Sequence, residues 1–373
     1  MAQSRMRIAL VAPLIAPLAE PQLGGVQTFL VDLARGLTRR GHDVTVFAAR
    51  GSRVEGVTVA EVGVDAAELS ATLVRPGRRP PDDDAETRAA EAFAATAALI
   101  GSGDFDVVHN HAFDVPAILH TATVAAAVIH TLHMPVDARI GAALAAARTS
   151  ANPPLVAGVS EAQAVAWRRL VPVDCVLRPG LPIDAIPWRA TSSSTRLLFA
   201  GRFSREKGAM EAVEIARLAG RRLLLCGPGY DPEYAARVRA SVRDYALNAP
   251  PATVDILPAL ERRTLWIEMG RSAVVICAPA WEEPFGLVAA EANACGTPVV
   301  GFRRGGLPEV VDEEVSAILV APDDVAGAAA GVRRADQLSR VACRRHAEET
   351  LDLEATLDTH ERVYLRALSA RRG

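Results

Sequence analysis

Lysine is almost absent from this chain. Of the 41 basic residues, Lys207 is the only lysine and the other 40 are arginines. Because alanine, arginine, glycine and proline are abundant throughout, the scarcity indicates a coding bias towards arginine and by itself says little about function. The position at which one lysine is kept is therefore of interest.

A strong charge surplus and a cysteine framework are missing too. The formal net charge is −3, with acids and bases interspersed, which gives no sign of a strongly basic face for a nucleic-acid backbone. The cysteines are odd in number, widely spaced and form no C-x-x-C pair, which argues against a disulfide framework and a zinc knuckle. We therefore expect no nucleic-acid partner and a reducing, cytoplasmic compartment. The cysteines are Cys175, Cys226, Cys277, Cys295 and Cys343.

Long hydrophobic runs are also lacking. The N-terminal stretch "MAQSRMRIALVAPLIAPLAEP" resembles a signal peptide, but three prolines interrupt it and an amphipathic helix follows, as expected of an α/β domain. No run of about 18 apolar residues occurs elsewhere, so we expect no transmembrane segment. A peripheral membrane contact stays open through the basic residues Arg75, Arg78 and Arg79, although adjacent aspartates dilute their charge.

The N-terminal part of the chain has the pattern of a βαβ unit. "RIALVAP" is a short apolar run typical of a buried parallel strand, and "DVTVFAA" predicts the next strand. Between them, Gly24 and Gly25 open a helix with apolar residues at helical spacing. Phosphate or sugar groups commonly sit at such a glycine turn, and a plain tight turn is the alternative.

Histidines end two further predicted strands, "FDVVHNHAF" and "VIHTLHM". His109 and His111 are two residues apart, and with His133 they could form a metal site. No carboxylate or cysteine completes a recognisable ligand set, so we predict no metal. Polar residues at the carboxyl ends of strands are where open α/β sheets bind ligands.

A second series of strands follows the polar stretch "RATSSSTR", which suits an interdomain linker. The strand candidates are "RLLFAG", "RRLLLCGPG", "TVDIL", "AVVICAP", "TPVVGF" and "SAILVAP", separated by helical segments. The 373 residues are enough for roughly two domains. The sequence therefore predicts an α/β fold of two Rossmann-like, doubly wound parallel-sheet domains facing across a cleft, with the first domain at residues 1–185.

The loop after "RLLFAG" contains Arg202 and the single lysine. Gly201 forms the turn, and the helix that follows would direct its first N–H groups at the same place as Arg202 and Lys207. A diphosphate fits such a site, because arginine binds phosphate oxygens bidentately and lysine supplies a compact charge. An ordinary solvated basic loop is the alternative.

A second cluster lies in "APAWEEPFGLVAAEANACGTPVV". Pro284 fits the start of a helix, so Glu283 would stand just before that helix at the carboxyl end of a strand. The amides of Phe285, Gly286 and Leu287 would face the cleft, and Glu291 would lie about two turns into the helix. The two carboxylates match an extended ligand with hydroxyl groups, and a hydrolytic acid pair is the alternative.

These residues resemble those of a known family. "EPFGLVAAE" resembles the E-x7-E signature of retaining glycosyltransferases with the GT-B fold, specifically the fourth family. "GRFSREKG" is similar to the family's diphosphate motif, and "GGLPEVV" and the glycine-helix segment "GGVQTFLVDLARGLTRRGHDVTVF" are similar to other family segments. The likeness covers nearly the whole chain. Ala280, where a serine is usual, and "RPGLPID" near the hinge depart from the family pattern.

The resemblance implies a role for each site residue. Arg202 and Lys207 would hold the diphosphate of a nucleoside diphosphate sugar, with Gly201 in their turn, and Gly24 and Gly25 would approach the phosphate from the first domain. Glu283 and the backbone of Phe285, Gly286 and Leu287 would contact the donor sugar, Glu291 the ribose hydroxyls, and His133 the reacting sugar. The catalytic set would be Arg202, Lys207, Glu283 and His133.

The resemblance also implies domain limits and a reaction. The nucleotide-sugar domain would span residues 186–352, and a C-terminal helix at residues 353–373 would cross back to the first domain. The enzyme would transfer a sugar from a UDP- or GDP-sugar, with retention and without metal or cofactor, to an unidentified glycan, lipid-linked or natural-product acceptor. The alternatives are a sugar-nucleotide epimerase or phosphorylase, and a regulatory protein that binds a sugar nucleotide without turnover.

Overall fold

Strands and helices alternate along most of the described residues, which in this computed structural model are residues 5–62, 83–248 and 253–372. Arg75, Arg78 and Arg79 lie outside them. The strands are β1 Arg7–Val11, β2 Asp43–Ala49, β3 Thr58–Val62, β4 Val107–Asn110, β5 Ala127–Thr131, β6 Leu155–Gly158, β7 Cys175–Val176, β8 Leu197–Ala200, β9 Leu223–Cys226, β10 Val254–Leu257, β11 Val274–Cys277, β12 Val299–Phe302 and β13 Ala317–Val320.

The helices connect most of the successive strands and then end the chain, whereas β2 and β3, and β7 and β8, are joined without an α-helix. They are α1 Gly25–Arg39, α2 Asp83–Ser102, α3 Val115–Thr121, α4 Ala138–Ala147, α5 Glu161–Trp167, α6 Ala209–Ala219, α7 Pro232–Asn248, α8 Arg262–Arg271, α9 Leu287–Ala294, α10 Leu307–Val310, α11 Val325–Ala335, α12 Arg340–Thr350 and α13 Leu353–Arg372. Among the helices in the described part of the chain, none is long and apolar enough to cross a membrane.

The first compact unit consists of residues up to Ala19, Gly25–Arg178 and the chain from Leu353 onwards. Its described strands form a parallel sheet in the order β3-β2-β1-β4-β5-β6-β7. The central strands β1 and β5 are short and almost entirely buried, because helices cover both faces of a parallel sheet. On one face, Phe29, Leu30, Leu33 and Leu37 of α1 are buried in a core with strand residues such as Leu10.

The last helix, α13, is part of this first unit. Leu357 is fully buried against α1, where it lies over Gly36. Arg40 donates to Glu361 of α13 at 2.9 Å, and the imidazole of His42 contacts the same carboxylate at 2.9 Å. Apolar burial and charged hydrogen bonds thus both hold α13 to the beginning of the chain.

The second compact unit consists of Glu20–Gly24 and Pro179–Asp352. Its strands have the order β10-β9-β8-β11-β12-β13, again all parallel. All six strand candidates of the predicted second series are strands here. The compact units meet in sequence at Arg178 and Pro179, a few residues before the position predicted from the linker.

Both sheets share one topological feature that determines where a site can form. The strand order reverses between β1 and β4 in the first sheet, and between β8 and β11 in the second. Loops that leave the carboxyl ends of such neighbouring strands go to opposite faces of the sheet and leave a crevice between them. The predicted phosphate loop follows β8 and the predicted Glu283 segment follows β11, so both border the crevice of the second sheet.

Candidate active site

The loop after β8 is fastened to the loop after β11. Gly208 has a φ of +77°, and a Cβ atom at this position would lie 1.8 Å from the carbonyl oxygen of Ala278. The N–H of Ala280 donates to the carbonyl of Glu206 at 3.0 Å. Only glycine tolerates both this backbone conformation and this close approach. The glycine that follows Lys207 therefore brings the lysine next to the Glu283 segment.

Lys207 and Glu283 form an ion pair across these two loops. The Nζ atom of Lys207 lies 3.0 Å and 2.7 Å from the two carboxylate oxygens of Glu283. The indole N–H of Trp281 donates to Glu283 Oε2 at 2.8 Å, and Lys207 Nζ lies 4.8 Å from the centre of the same indole ring. Both partners are partly exposed, with 25% and 18% of their side-chain surfaces accessible, so a ligand can reach the pair.

Opposing effects act on the pKa of Glu283. Burial favours the neutral acid, but the charge of Lys207, the hydrogen bonds from Lys207 and Trp281, and the charge of Arg202 outweigh it and lower the pKa. Glu283 is therefore an anion at neutral pH. It can accept hydrogen bonds from hydroxyl groups, but it is a weak general base.

Arg202 supplies a second cation near this anion. Its guanidinium carbon lies 4.4 Å from the centre of the Tyr230 ring, and Nη2 is 3.5 Å from Glu206. A guanidinium stacked on an aromatic face keeps N–H groups at its edge available for oxygen acceptors. The structure thus places Arg202, Lys207 and Glu283 around the same crevice.

The segment after Glu283 differs from the sequence prediction. The helix begins at Leu287 and not at Pro284, because Gly286 has a φ of +111°, which is outside the helical region. Glu291 is consequently little more than one turn into α9. Among the described residues, the amide N–H groups of Phe285, Gly286 and Leu287 form no hydrogen bond. They remain available for a ligand at a helix start.

The "GGLPEVV" segment supports the backbone of Glu283. The N–H of Gly306 donates to the Glu283 carbonyl at 2.7 Å, and a Cβ atom on Gly305 would lie 2.2 Å from that carbonyl oxygen. The close approach requires glycine at position 305. This segment therefore fixes the main chain from which the Glu283 side chain projects.

Glu291 is paired inside the second unit. Its Oε1 atom accepts hydrogen bonds from Arg262 Nε at 2.8 Å and from the indole N–H of Trp266 at 3.0 Å. The guanidinium carbon of Arg262 lies 4.6 Å from the centre of the Trp266 ring. Only 4% of Glu291 is exposed. Both bonds go to Oε1, which leaves Oε2 for another partner.

The predicted glycines lie in the expected turns, but they differ in their backbone hydrogen bonding and in their exposure. The amide of Gly201 donates to the carbonyl of Cys226 at 2.9 Å, so that N–H is already used. Gly24 immediately precedes α1, and Gly25 is its first residue and is exposed. The α1 N-terminus follows β1, at the strand-order reversal of the first sheet.

His133 belongs to a cluster of buried histidines in the first unit. Its Nε2 lies 2.9 Å from Nδ1 of His111. His111 Nε2 is buried and has no partner among the described atoms, so the tautomer with the lower cost has its proton on Nδ1 and donates to His133. His133 then carries its own proton on Nδ1. Burial lowers the pKa of His133 to about 3, so the ring is neutral at physiological pH.

The histidine arrangement does not suit the metal alternative. Both nitrogens of His109 are engaged, Nδ1 with the Tyr364 hydroxyl at 2.8 Å and Nε2 with Thr131 Oγ1 at 2.7 Å. His111 and His133 contact each other instead of converging on an outside point. Within residues 5–62, 83–248 and 253–372, no three His, Cys, Asp or Glu side chains are grouped to hold a metal ion.

Sequence reasoning missed the aromatic residues that surround both acids. Trp281 stands two residues before Glu283 in the quoted cluster, and the chain has only four tryptophans, so its presence was a usable signal. Trp266 and Arg262 are 25 and 29 residues before Glu291 on another helix, and no local pattern indicates them. Each acid therefore has a cation and an indole N–H as partners, and only the indole beside Glu283 is close to it in the sequence.

Comparison with known proteins identifies the family to which the chain is similar. Residues 187–349 match the family described as glycosyl transferases group 1, and residues 23–184 match glycosyltransferase family 4. The chain is similar to "D-inositol 3-phosphate glycosyltransferase" of Xylanimonas cellulosilytica, with 30% identity over 84% of each chain. A protein of the same name from Saccharomonospora viridis is 26% identical over 98% of this chain and 95% of its own length.

Solved structures have the same fold. Sucrose-phosphate synthase from Thermosynechococcus elongatus superimposes with a TM-score of 0.79 and 21% identity, over 98% of this chain and 100% of that protein. HepE from Anabaena, solved in complex with UDP and glucose, has a TM-score of 0.72 and 17% identity over 96% and 99% of the two chains.

Proposed function

The chain belongs to the group 1 glycosyl transferases and to glycosyltransferase family 4, and from this premise we propose that it moves a sugar from a nucleoside diphosphate sugar to an acceptor hydroxyl with retention at the anomeric carbon. The chain is a glycosyltransferase with the GT-B fold. The donor is a UDP- or GDP-sugar, and neither a metal nor a cofactor takes part. Every site residue acts on the donor or on the reacting sugar.

The observation that carries the proposal is the Lys207–Glu283 pair beside Arg202 and the open amides of residues 285–287. Negative charge grows on the diphosphate as the bond to the sugar breaks. Cations and N–H groups already in place stabilise that charge more in the transition state than in the ground state. Each charge-assisted hydrogen bond contributes about 1.5–3 kcal/mol. Two protein cations supply the positive charge that a metal ion supplies elsewhere.

The two carboxylates suit the two sugars of such a donor. Glu283 is an accessible anion next to the phosphate-binding cations, as a ligand of the transferred sugar would be. Glu291 has one oxygen held by Arg262 and Trp266 and the other available for a pair of ribose hydroxyls. Vicinal hydroxyls donate well to carboxylates, so binding both rings fixes the donor along α9.

The neutral state of His133 supports a retaining reaction without a strong protein base. With a pKa of about 3, the ring removes a proton from a hydroxyl only weakly at pH 7. In the proposed reaction the leaving phosphate oxygen takes the acceptor proton on the same face of the sugar from which it departs. The N–H of His133 then serves as a hydrogen-bond donor to the reacting sugar.

The names of similar proteins indicate which substrates to try first. Several relatives carry the name D-inositol 3-phosphate glycosyltransferase, so that phosphorylated polyol is the first acceptor to test. HepE was solved with UDP and glucose, which makes UDP-sugars the first donors. Glycans, lipid-linked molecules and natural products are the acceptors to test next.

A thermal-shift screen of UDP- and GDP-sugars identifies the donor, and turnover is then measured with each acceptor in the presence and absence of EDTA. We expect a product with the anomeric configuration of the donor and the same rate with EDTA. Lys207→Ala should abolish most turnover, whereas Arg205→Ala, an exposed cation in the same turn, should not. Equal rates in the two variants would refute the proposal. Donor conversion without acceptor would indicate an epimerase, and binding without turnover a regulatory protein.

A further inference from the structure

The two signature carboxylates have the same kind of surroundings. Glu283 accepts a hydrogen bond from the Trp281 indole at 2.8 Å and pairs with Lys207 at 2.7 Å, while Lys207 lies over that indole ring at 4.8 Å. Each of the three groups thus contacts the other two. We call this arrangement the Glu283 triad.

Glu291 stands in a second arrangement of this type, the Glu291 triad. It accepts from the Trp266 indole at 3.0 Å and pairs with Arg262 at 2.8 Å, while Arg262 lies over the Trp266 ring at 4.6 Å. The tryptophan comes from α8 here and from the loop before α9 in the other triad. The repetition therefore does not follow from one local sequence pattern.

We propose that Trp281 and Trp266 are positioning residues, each of which keeps its carboxylate aimed at the donor when the neighbouring cation is drawn towards the donor's diphosphate or nucleotide. This inference rests on the proposed function, because it takes Glu283 and Glu291 as donor ligands. The tryptophans themselves touch the carboxylates and not the reacting atoms.

The physical reason is a competition between anions for one cation. A diphosphate near Lys207 attracts the ammonium away from Glu283, because it bears more negative charge than a carboxylate. The indole N–H is neutral and is therefore attracted far less. It remains on Glu283 Oε2, so the carboxylate keeps one fixed oxygen and turns the other to the sugar. The indole is a donor at every pH at which the protein is folded.

The two triads differ in burial, which predicts different consequences. The Glu283 pair is partly exposed, whereas Glu291 and Trp266 are 4% and 6% exposed. Loss of the Trp281 N–H should therefore act mainly on the transfer step and on protonation of Glu283. Loss of the Trp266 N–H should act mainly on the affinity for the nucleotide.

The test replaces each indole by a ring without an N–H. Trp281→Phe should lower kcat about tenfold and move the acidic limb of the kcat/KM pH profile to higher pH, because Glu283 loses a bond to its charged form. Trp266→Phe should weaken UDP binding about tenfold in titration calorimetry. Trp188→Phe, which changes an exposed tryptophan outside both triads, should leave both properties unchanged.

Two further measurements make the outcome decisive. Arg262→Met removes the cation but leaves the indole, so adding Trp266→Phe to that variant should weaken UDP binding by a further factor of about ten, because the indole then holds the carboxylate alone. The pKa of Glu283, followed by carbon-13 NMR, should rise in Trp281→Phe, and this measurement needs no turnover. If no nucleotide sugar reacts, the proposed function fails while this pKa still tests the Trp281 role. Wild-type pKa, pH profile and UDP affinity in the phenylalanine variants would overturn the inference.

Discussion

Mild acid should destabilise the first unit through its buried histidines. Five imidazoles from β4, β5, the loops after these strands and α13 lie together in its interior. Their hydrogen-bond partners are a tyrosine, a threonine, an asparagine, a backbone carbonyl and one another, with no carboxylate among them. The five are His109, His111, His130, His133 and His360.

The sign of the effect follows from the pKa values in the folded protein. Burial lowers the pKa of His130 and His133 to about 3 and that of His360 to about 4, against an ordinary value of 6.5. The unfolded chain therefore binds more protons below pH 6.5, and stability is fully present above that pH and falls as pH decreases towards 4. Between pH 7.5 and 5.5 each of these histidines lowers the free energy of unfolding by about 1.4 kcal/mol, so the three together lower it by about 4 kcal/mol.

Urea unfolding at pH 7.5 and pH 5.5, followed by a signal from the first unit, measures this loss. Burial also lowers the pKa of His109 and His111, which adds to the effect in the same direction. His360→Gln should reduce the difference between the two pH values by about 1.4 kcal/mol. The control is His120→Gln, a partly exposed histidine at the end of α3. Equal stability of the wild type at both pH values would refute the reasoning.

Three further predictions concern the second unit. Gly208→Ala should cost about 3 kcal/mol in urea unfolding, because its Cβ would meet a carbonyl oxygen. Gly220→Ala, also at positive φ but with open space around it, should cost about 1 kcal/mol. Arg340→Met should cost about 3 kcal/mol, since three buried acceptors and one partly buried acceptor lose their donor, while the exposed Arg345→Met should cost under about 0.5 kcal/mol. Glu291→Ala should weaken UDP binding at least about tenfold in calorimetry, and unchanged affinity would contradict its ribose role.

Much of the fold follows from local pattern in the sequence. "RLLFAG" contains β8 and "RRLLLCGPG" contains β9, and both strands are apolar and fully buried, as expected of strands covered on both faces. The predicted start of α9, at Pro284, was wrong by three residues. Pro284 favours a helix start, but the positive φ of Gly286 delays the start to Leu287. Gly286 lies close to Leu307, and this contact depends on tertiary structure.

The sequence indicates which residue types border the crevice of the second sheet, but it does not indicate their contacts. Glycines, cations and acids at the ends of strands point to a phosphate and sugar site wherever such strands lie side by side. The pairing of Lys207 with Glu283 joins residues 76 positions apart, and it depends on β8 and β11 being neighbours. Strand order is not encoded in any one segment. The contact between Arg262 on α8 and Glu291 on α9 likewise joins two elements, so no single segment of the sequence indicates it.

The single lysine gains its meaning from this topology. The other basic positions, where a solvated cation or a planar guanidinium is suitable, are occupied by arginine, as at the exposed Arg205 in the same turn. At position 207 one nitrogen contacts both oxygens of Glu283 and also stands over the Trp281 ring. In the Glu291 triad, Arg262 also pairs with a carboxylate and lies over a ring, but its Nε makes the ion pair while its guanidinium carbon faces the ring. At position 207 a single ammonium makes both contacts and bonds both carboxylate oxygens, so a small rotation of the side chain can carry its whole charge to a phosphate. This contact through one atom is a physical reason for lysine at position 207.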